Sequence, residues 1–234
     1  MHTHHRLFPL VISALALIAC LIQVAPARAQ AQTGRFADEI AAFEQWDQKN
    51  TPPQDAILFV GSSSIRMWTT AQDFPMFKVI NRGFGGSEIS DVLAYFDQVV
   101  SKYQPRAIVM YVGDNDIAAG EPPEQVAGDF ESFVTRVRSR MGATPIFYIS
   151  IKPSLARWDQ WPLMKQANDL IQARAGEAEN VYFVDTATPM LGPDGKPQAD
   201  LFQEDGLHMS RAGYEIWDGI LLPLLTRLAP AENQ

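Results

Sequence analysis

The sequence predicts an α/β fold, in three α/β/α layers around a doubly wound, parallel, five-stranded sheet. Apolar runs of strand length alternate along the chain with longer stretches of helical period, the pattern of successive βαβ units. The runs are continuously apolar rather than alternating, so both faces of the sheet must be covered, as crossover helices require. Short polar or glycine-rich segments follow the runs, and ligands bind such sheets beyond the carboxyl ends of the strands.

The elements follow in order. Phe36 to Lys49 reads as a first amphipathic helix, ended by Asn50-Thr51-Pro52-Pro53. Strands are expected at Ala56 to Val60, Lys78 to Asn81, Ala107 to Val112, Pro145 to Ile151 and Val181 to Asp185. Helices are expected near 64–70, 88–101, 123–141 and 162–176, with a last one from Ser210 to about Leu228. The connection from Thr186 to Met209 shows no clear element, and loops of that length in compact domains are usually functional or disordered. No repeat or linker interrupts the pattern, so one domain is expected.

The first residues stand apart. A basic Arg6 precedes an apolar run from Leu7 to Ala25, and Ala27-Arg28-Ala29 fits a signal-peptidase site. Residues 1–29 are therefore expected to be a signal peptide, and 30–234 the exported domain. Leu17-Ile18-Ala19-Cys20 offers a lipoprotein alternative with Cys20 lipidated, and an uncut membrane anchor ranks last.

Removing that leader lowers 19 basic residues to 17 against 27 acidic ones, a net charge of −10. With no Lys/Arg-rich run, the domain suits neither nucleic acid nor an anionic membrane surface. The only cysteine leaves with the leader, so no disulfide is expected. His2, His4 and His5 leave too, making His208 the sole histidine of the domain. One histidine and no cysteine leave the usual transition-metal sites without ligands.

Four segments carry candidate chemistry. Gly61-Ser62-Ser63-Ser64 follows the first strand and presents hydroxyls beside a helix N-terminus; alone it reads equally as a helix cap. Asn81-Arg82-Gly83-Phe84-Gly85-Gly86-Ser87 follows the second strand, with glycines that expose backbone N–H groups or simply make a turn. Gly113-Asp114-Asn115-Asp116 closes the third strand, offering an amide donor, a turn with a cap, or two carboxylates for a metal. Asp205-Gly206-Leu207-His208 places a carboxylate where it could orient the histidine, unless the loop is only structural.

In that order, Gly-x-Ser, a Gly-rich turn, Gly-x-Asn-Asp and Asp-x-x-His resemble the blocks of the SGNH (GDSL-type) hydrolases. The likeness runs over essentially the whole mature chain, and FVGSSSIRMW, NRGFGGSEISD, YVGDNDI, SIKPSLARW and LFQEDGLHMS are similar to the small bacterial members with a Gly-Ser-Ser-Ser first block. The resemblance implies Ser63 as nucleophile, His208 as general base and Asp205 as its orienting acid. It implies an oxyanion hole from the N–H groups of Ser63 and Gly86 and the Asn115 side chain, with no cofactor. Ser62 stands where the commoner block has Asp, which leaves Ser62 or Ser64 as rival nucleophiles.

The flavodoxin-like strand order 2-1-3-4-5 would set Ser63 between the loops of Gly86 and Asn115. The expected substrate is a small-molecule ester with a small or short acyl group, such as an acetylated carbohydrate. Trp158 and Trp161 would either stack on substrate or pack internally. The rival functions are a non-catalytic carbohydrate- or envelope-binding module and a metal-dependent hydrolase using Asp114 and Asp116.

Overall fold

Five strands, Ile57–Gly61 (β1), Val79–Gly83 (β2), Ala107–Tyr111 (β3), Ile146–Ile149 (β4) and Val181–Val184 (β5), form one sheet in the computed structural model. The structure describes Met1 and residues 34–229, so the leader and its Cys20 alternative lie outside the described residues. All strands pair in parallel in the order β2-β1-β3-β4-β5, the expected arrangement.

Alternate residues of each strand face opposite layers. Leu58, Val60, Ile108, Met110, Ile146 and Tyr148 join one core with helices Ala37–Lys49 (α1), Pro123–Met141 and Trp161–Glu177. Ile57, Phe59, Val109, Tyr111, Phe147 and Ile149 join the other with Trp68, Phe74 and the last helix, Arg211–Leu228. Strands β1, β3 and β4 are buried on both faces, which is why they carry no polar alternation.

The remaining helices in chain order are Ser63–Arg66 (α2), Thr70–Asp73 (α3), Ile89–Ala94 (α4), Phe96–Val99 (α5) and Asp114–Ala118 (α6). Pro123–Met141 is then α7, Trp161–Glu177 α8 and Arg211–Leu228 α9. Helix α7 has the expected bounds, with Pro123 at its first turn and Gly142 at φ 62° beyond its end.

Three expectations need correction. The stretch 88–101 is not one helix: it breaks at Tyr95 and Val100 into α4, α5 and a 3₁₀ turn at Ser101–Tyr103. Phe96, Val99, Val100 and Tyr103 are all buried against the same core, and that packing outweighs helix propensity. The stretch 64–70 ends early at Arg66, because Trp68 turns inward to meet Phe59, Phe74 and Trp217. The long connection before α9 is also structured, by 3₁₀ turns at Thr188–Met190 and Ala199–Leu201 and bridges Leu191–Pro197 and Phe202–Met209. No helix among the described residues is long and apolar enough to cross a membrane.

Candidate active site

The site lies beyond the carboxyl ends of β1, β2 and β3, starting with the turn out of β1. Gly61 sits at φ 138°, and a Cβ there would come within 1.9 Å of the Tyr111 carbonyl oxygen, so only glycine fits. Ser62 then occupies the N-cap position of α2 in an extended conformation, which puts Ser63 in the first helical turn. Asn81 of β2 fixes that turn by donating to the carbonyls of Ile65 (2.7 Å) and Trp68 (3.3 Å). Tyr214 of α9 donates to the Ser64 carbonyl from the other side at 2.8 Å. Ser62 and Ser64 are 1% and 2% exposed, whereas Ser63 is half-buried and its Oγ lies 3.0 Å from His208 Nε2. Of the three serines, only Ser63 faces the histidine.

The histidine is held by its own loop. Asp205 Oδ1 accepts the backbone N–H groups of Leu207 and His208, both at 2.9 Å, and Gly206 at φ 64° allows the tight turn. The other oxygen, Oδ2, lies 2.6 Å from His208 Nδ1. The hydrogen bond with the His208 ring, aided by the two backbone donors, pushes the Asp205 carboxyl down to about 2. An ionised carboxylate only accepts hydrogen bonds, so the imidazole proton sits on Nδ1 and Nε2 is left to accept the Ser63 hydroxyl. The arrangement can move a proton from Ser63 Oγ to His208 while Asp205 steadies the ring.

The three expected oxyanion-hole residues stand in the turns that follow β1, β2 and β3, three neighbouring strands. The Ser63 N–H belongs to the first turn of α2, where helical N–H groups have no intrahelical acceptor. Gly86, at φ 78°, stands after β2, with its carbonyl turned onto Arg35 Nη2 at 3.2 Å. Glu39 of α1 braces the same loop, accepting from Gly85 N–H at 3.2 Å and pairing with Arg66 of α2 at 2.9 Å. Asn115, in α6, donates to the Ser87 carbonyl at 3.1 Å, while its Oδ1 accepts from Arg157 Nη2 at 3.0 Å. With its oxygen occupied by Arg157, the second amide N–H of Asn115 remains for a ligand.

The two aspartates considered for a metal have other partners. Asp114 Oδ2 lies 3.3 Å from Lys152 Nζ and 3.2 Å from Arg157 Nη1. Burial pushes the Asp114 carboxyl up, but the two cations more than offset this and hold it below the usual carboxylate range. Asp116 is fully buried and accepts the Ile89 N–H at 2.8 Å, fastening α4 to α6. Among the described residues no three His, Cys, Asp or Glu side chains group as metal ligands. Trp158 and Trp161 stack on each other, 6.1 Å between ring centres, and Trp161 packs against the core, which favours the packing role.

The sequence reading missed Asn81, Glu39, Lys152 and Arg157. A polar residue inside β2 was the one available signal for Asn81. Glu39, Lys152 and Arg157 sit on a helix and a loop, where charge is ordinary.

Comparisons with known proteins bear on the fold and the family. No curated protein matches the chain. Among solved structures, a Streptococcus pneumonia protein described as a platelet activating factor superposes with a TM-score of 0.72 at 21% identity, covering 85% of this chain and 98% of the other. A GDSL-like lipase from Bacteroides thetaiotaomicron gives 0.67 at 21%, covering 84% and 98%. A mutant of an acetyl-xylooligosaccharide esterase from Geobacillus gives 0.56 at 16%, covering 74% and 95%. At such identities these show a shared fold. The family match is to GDSL-like lipase/acylhydrolases over residues 65–216, a segment that begins just after Ser63 and contains Gly86, Asn115, Asp205 and His208. The chain belongs to the GDSL-like lipase/acylhydrolase family.

Proposed function

We propose that the protein is a serine esterase that hydrolyses carboxylic esters of small or short acyl groups through an acyl-enzyme on Ser63. The observation that carries this reading is the unbroken chain from Ser63 Oγ to His208 Nε2 (3.0 Å) and from His208 Nδ1 to Asp205 Oδ2 (2.6 Å). Ser63 Oγ attacks the ester carbonyl and His208 takes its proton. The resulting oxyanion accepts from the N–H groups of Ser63 and Gly86 and from Asn115. Collapse expels the alcohol, protonated by His208. A water deprotonated by the same ring then attacks the acyl-enzyme, releasing the acid and restoring Ser63.

The preference for short acyl groups is supported by a shallow site. The Asp205 side chain is 47% exposed and that of His208 26%, an open setting that suits small acyl groups. The Geobacillus structure, described as an acetyl-xylooligosaccharide esterase, favours acetylated carbohydrate among such substrates. Export is part of the same proposal, with cleavage after Ala29 giving a protein that starts at Gln30.

A panel of p-nitrophenyl esters from acetate to palmitate, run beside acetylated xylo-oligosaccharides, tests the reading. kcat/KM should be highest for acetate and fall steeply with chain length. Highest activity on long acyl chains would overturn the substrate assignment, and no hydrolysis of any ester would overturn the activity.

A further inference from the structure

The segment from β4 to α8 passes the site without supplying any of the groups assigned above. It is nevertheless tied down at several points. Asn168 of α8 exchanges two hydrogen bonds with the Ile151 backbone, 2.8 Å to its N–H and 2.9 Å to its carbonyl. Farther along, the Ala156 N–H donates to the Gly206 carbonyl at 3.0 Å, joining the segment to the loop of Asp205 and His208. Between these ties, Lys152 is 1% exposed and donates to the Tyr111 hydroxyl (3.1 Å) and Asp114 (3.3 Å). At the far end Arg157 divides its guanidinium, with Nη1 on Asp114 at 3.2 Å and Nη2 on Asn115 Oδ1 at 3.0 Å.

This places a fixed fork behind an amide whose nitrogen donates to the Ser87 carbonyl, so two contacts select the same orientation, one on each end of the amide. A terminal amide has broad, nearly two-fold torsional freedom, and a flipped Asn115 would present an acceptor to the oxyanion instead of a donor. Arg157 can only donate, so it accepts one orientation of the amide and rejects the other. Its charge on Oδ1 also polarises the amide and strengthens the N–H on the far side. Lys152 and Arg157 both face the carboxylate of Asp114, which fixes the guanidinium between Asp114 and Asn115.

We infer that Arg157 is a positioning residue for the reaction, which locks and polarises Asn115 through its Oδ1 while Asp114, itself held by Lys152, sets the angle of the guanidinium. This rests on the serine-esterase reading above. Because the donor matters most when negative charge develops, its loss should appear in kcat rather than KM.

A double-mutant cycle on p-nitrophenyl acetate tests this. Arg157→Ala should lower kcat by about 10- to 100-fold with KM nearly unchanged, and free guanidinium should restore part of the loss. In an Asn115→Ala background the same change should cost less than about 3-fold, since the residue it acts through is gone. Arg157→Lys provides a second variant should Arg157→Ala not fold. It keeps a charge opposite Asp114 but lacks the second nitrogen, and it should lose kcat in the same non-additive way. Equal losses in both backgrounds, or a raised KM at full kcat, would overturn the inference. Full kcat in Arg157→Ala beside an impaired Asn115→Ala would overturn this inference alone, whereas full kcat in Asn115→Ala would overturn the oxyanion reading as well.

Discussion

The ring of His208 meets the hydroxyl of Ser63 across 145 residues of chain, Nε2 to Oγ, at 3.0 Å. Two separate constraints produce that contact. Ser63 is fixed by a strand-to-helix turn that needs glycine at position 61, and His208 by a carboxylate three residues earlier that binds both its ring and its backbone.

Removing the amide donor should separate catalysis from folding. Asn115→Ala is expected to lower kcat by about 10²- to 10³-fold while KM and the melting temperature change little. Steady-state kinetics with a short-chain ester check this. A near-normal kcat would reduce Asn115 to a residue of the turn.

Asp205 should titrate far below ordinary carboxylates. Its pKa is lowered from 3.8 to about 2, first by the hydrogen bond with His208 and then by two backbone N–H groups. The sign follows from linkage: the contribution to stability is fully present above the unfolded value and is lost as pH falls through the folded one. Carboxyl-carbon NMR, assigned with Asp205→Asn, should show a midpoint near 2 and none near 4. A midpoint near 4 would mean that the Asp205–His208 bond does not form in solution.

Asp91 should behave in the opposite sense. Buried and close to Glu88, with which it forms a capping box, it has its pKa raised from 3.8 to about 6, chiefly by burial. Its contribution to stability is therefore present below 3.8 and lost as pH rises through about 6. Asp91→Asn does not titrate, so its melting temperature relative to wild type should rise between about pH 5 and about pH 8. A pH-independent difference would contradict a buried, ionising Asp91.

Much of this was legible from the chain because the strongest constraints are local. Strands covered on both faces must be apolar throughout, so β1, β3 and β4 stand out, and Pro123 and Gly142 bracket α7. The four site segments were legible for the same reason, since turns at strand ends restrict residue type. What depended on distant partners was not. The breaks at Tyr95 and Val100 follow from aromatic packing, and nothing near Arg157 in sequence reveals that its partner Asn115 lies 42 residues away. The motif already pointed to Ser63, and the burial of Ser62 and Ser64 separates it from its two rivals.

Gly61→Ala should test the turn that aims Ser63. A methyl group there meets the Tyr111 carbonyl at 1.9 Å in a backbone conformation that side chains resist, so the variant should lose about 3 kcal/mol or more of stability. Chemical denaturation gives the number. A loss below about 1 kcal/mol would show that the turn can relax.

Ester hydrolysis by purified His208→Ala, in a chain beginning at Gln30, puts the Ser63–His208–Asp205 relay to its sharpest test. No other histidine remains in that chain, so no second imidazole can serve as base. That variant's kcat should fall by about 10³-fold or more, matched by Ser63→Ala and hardly deepened in the double variant. Near-full hydrolysis by His208→Ala would contradict the relay.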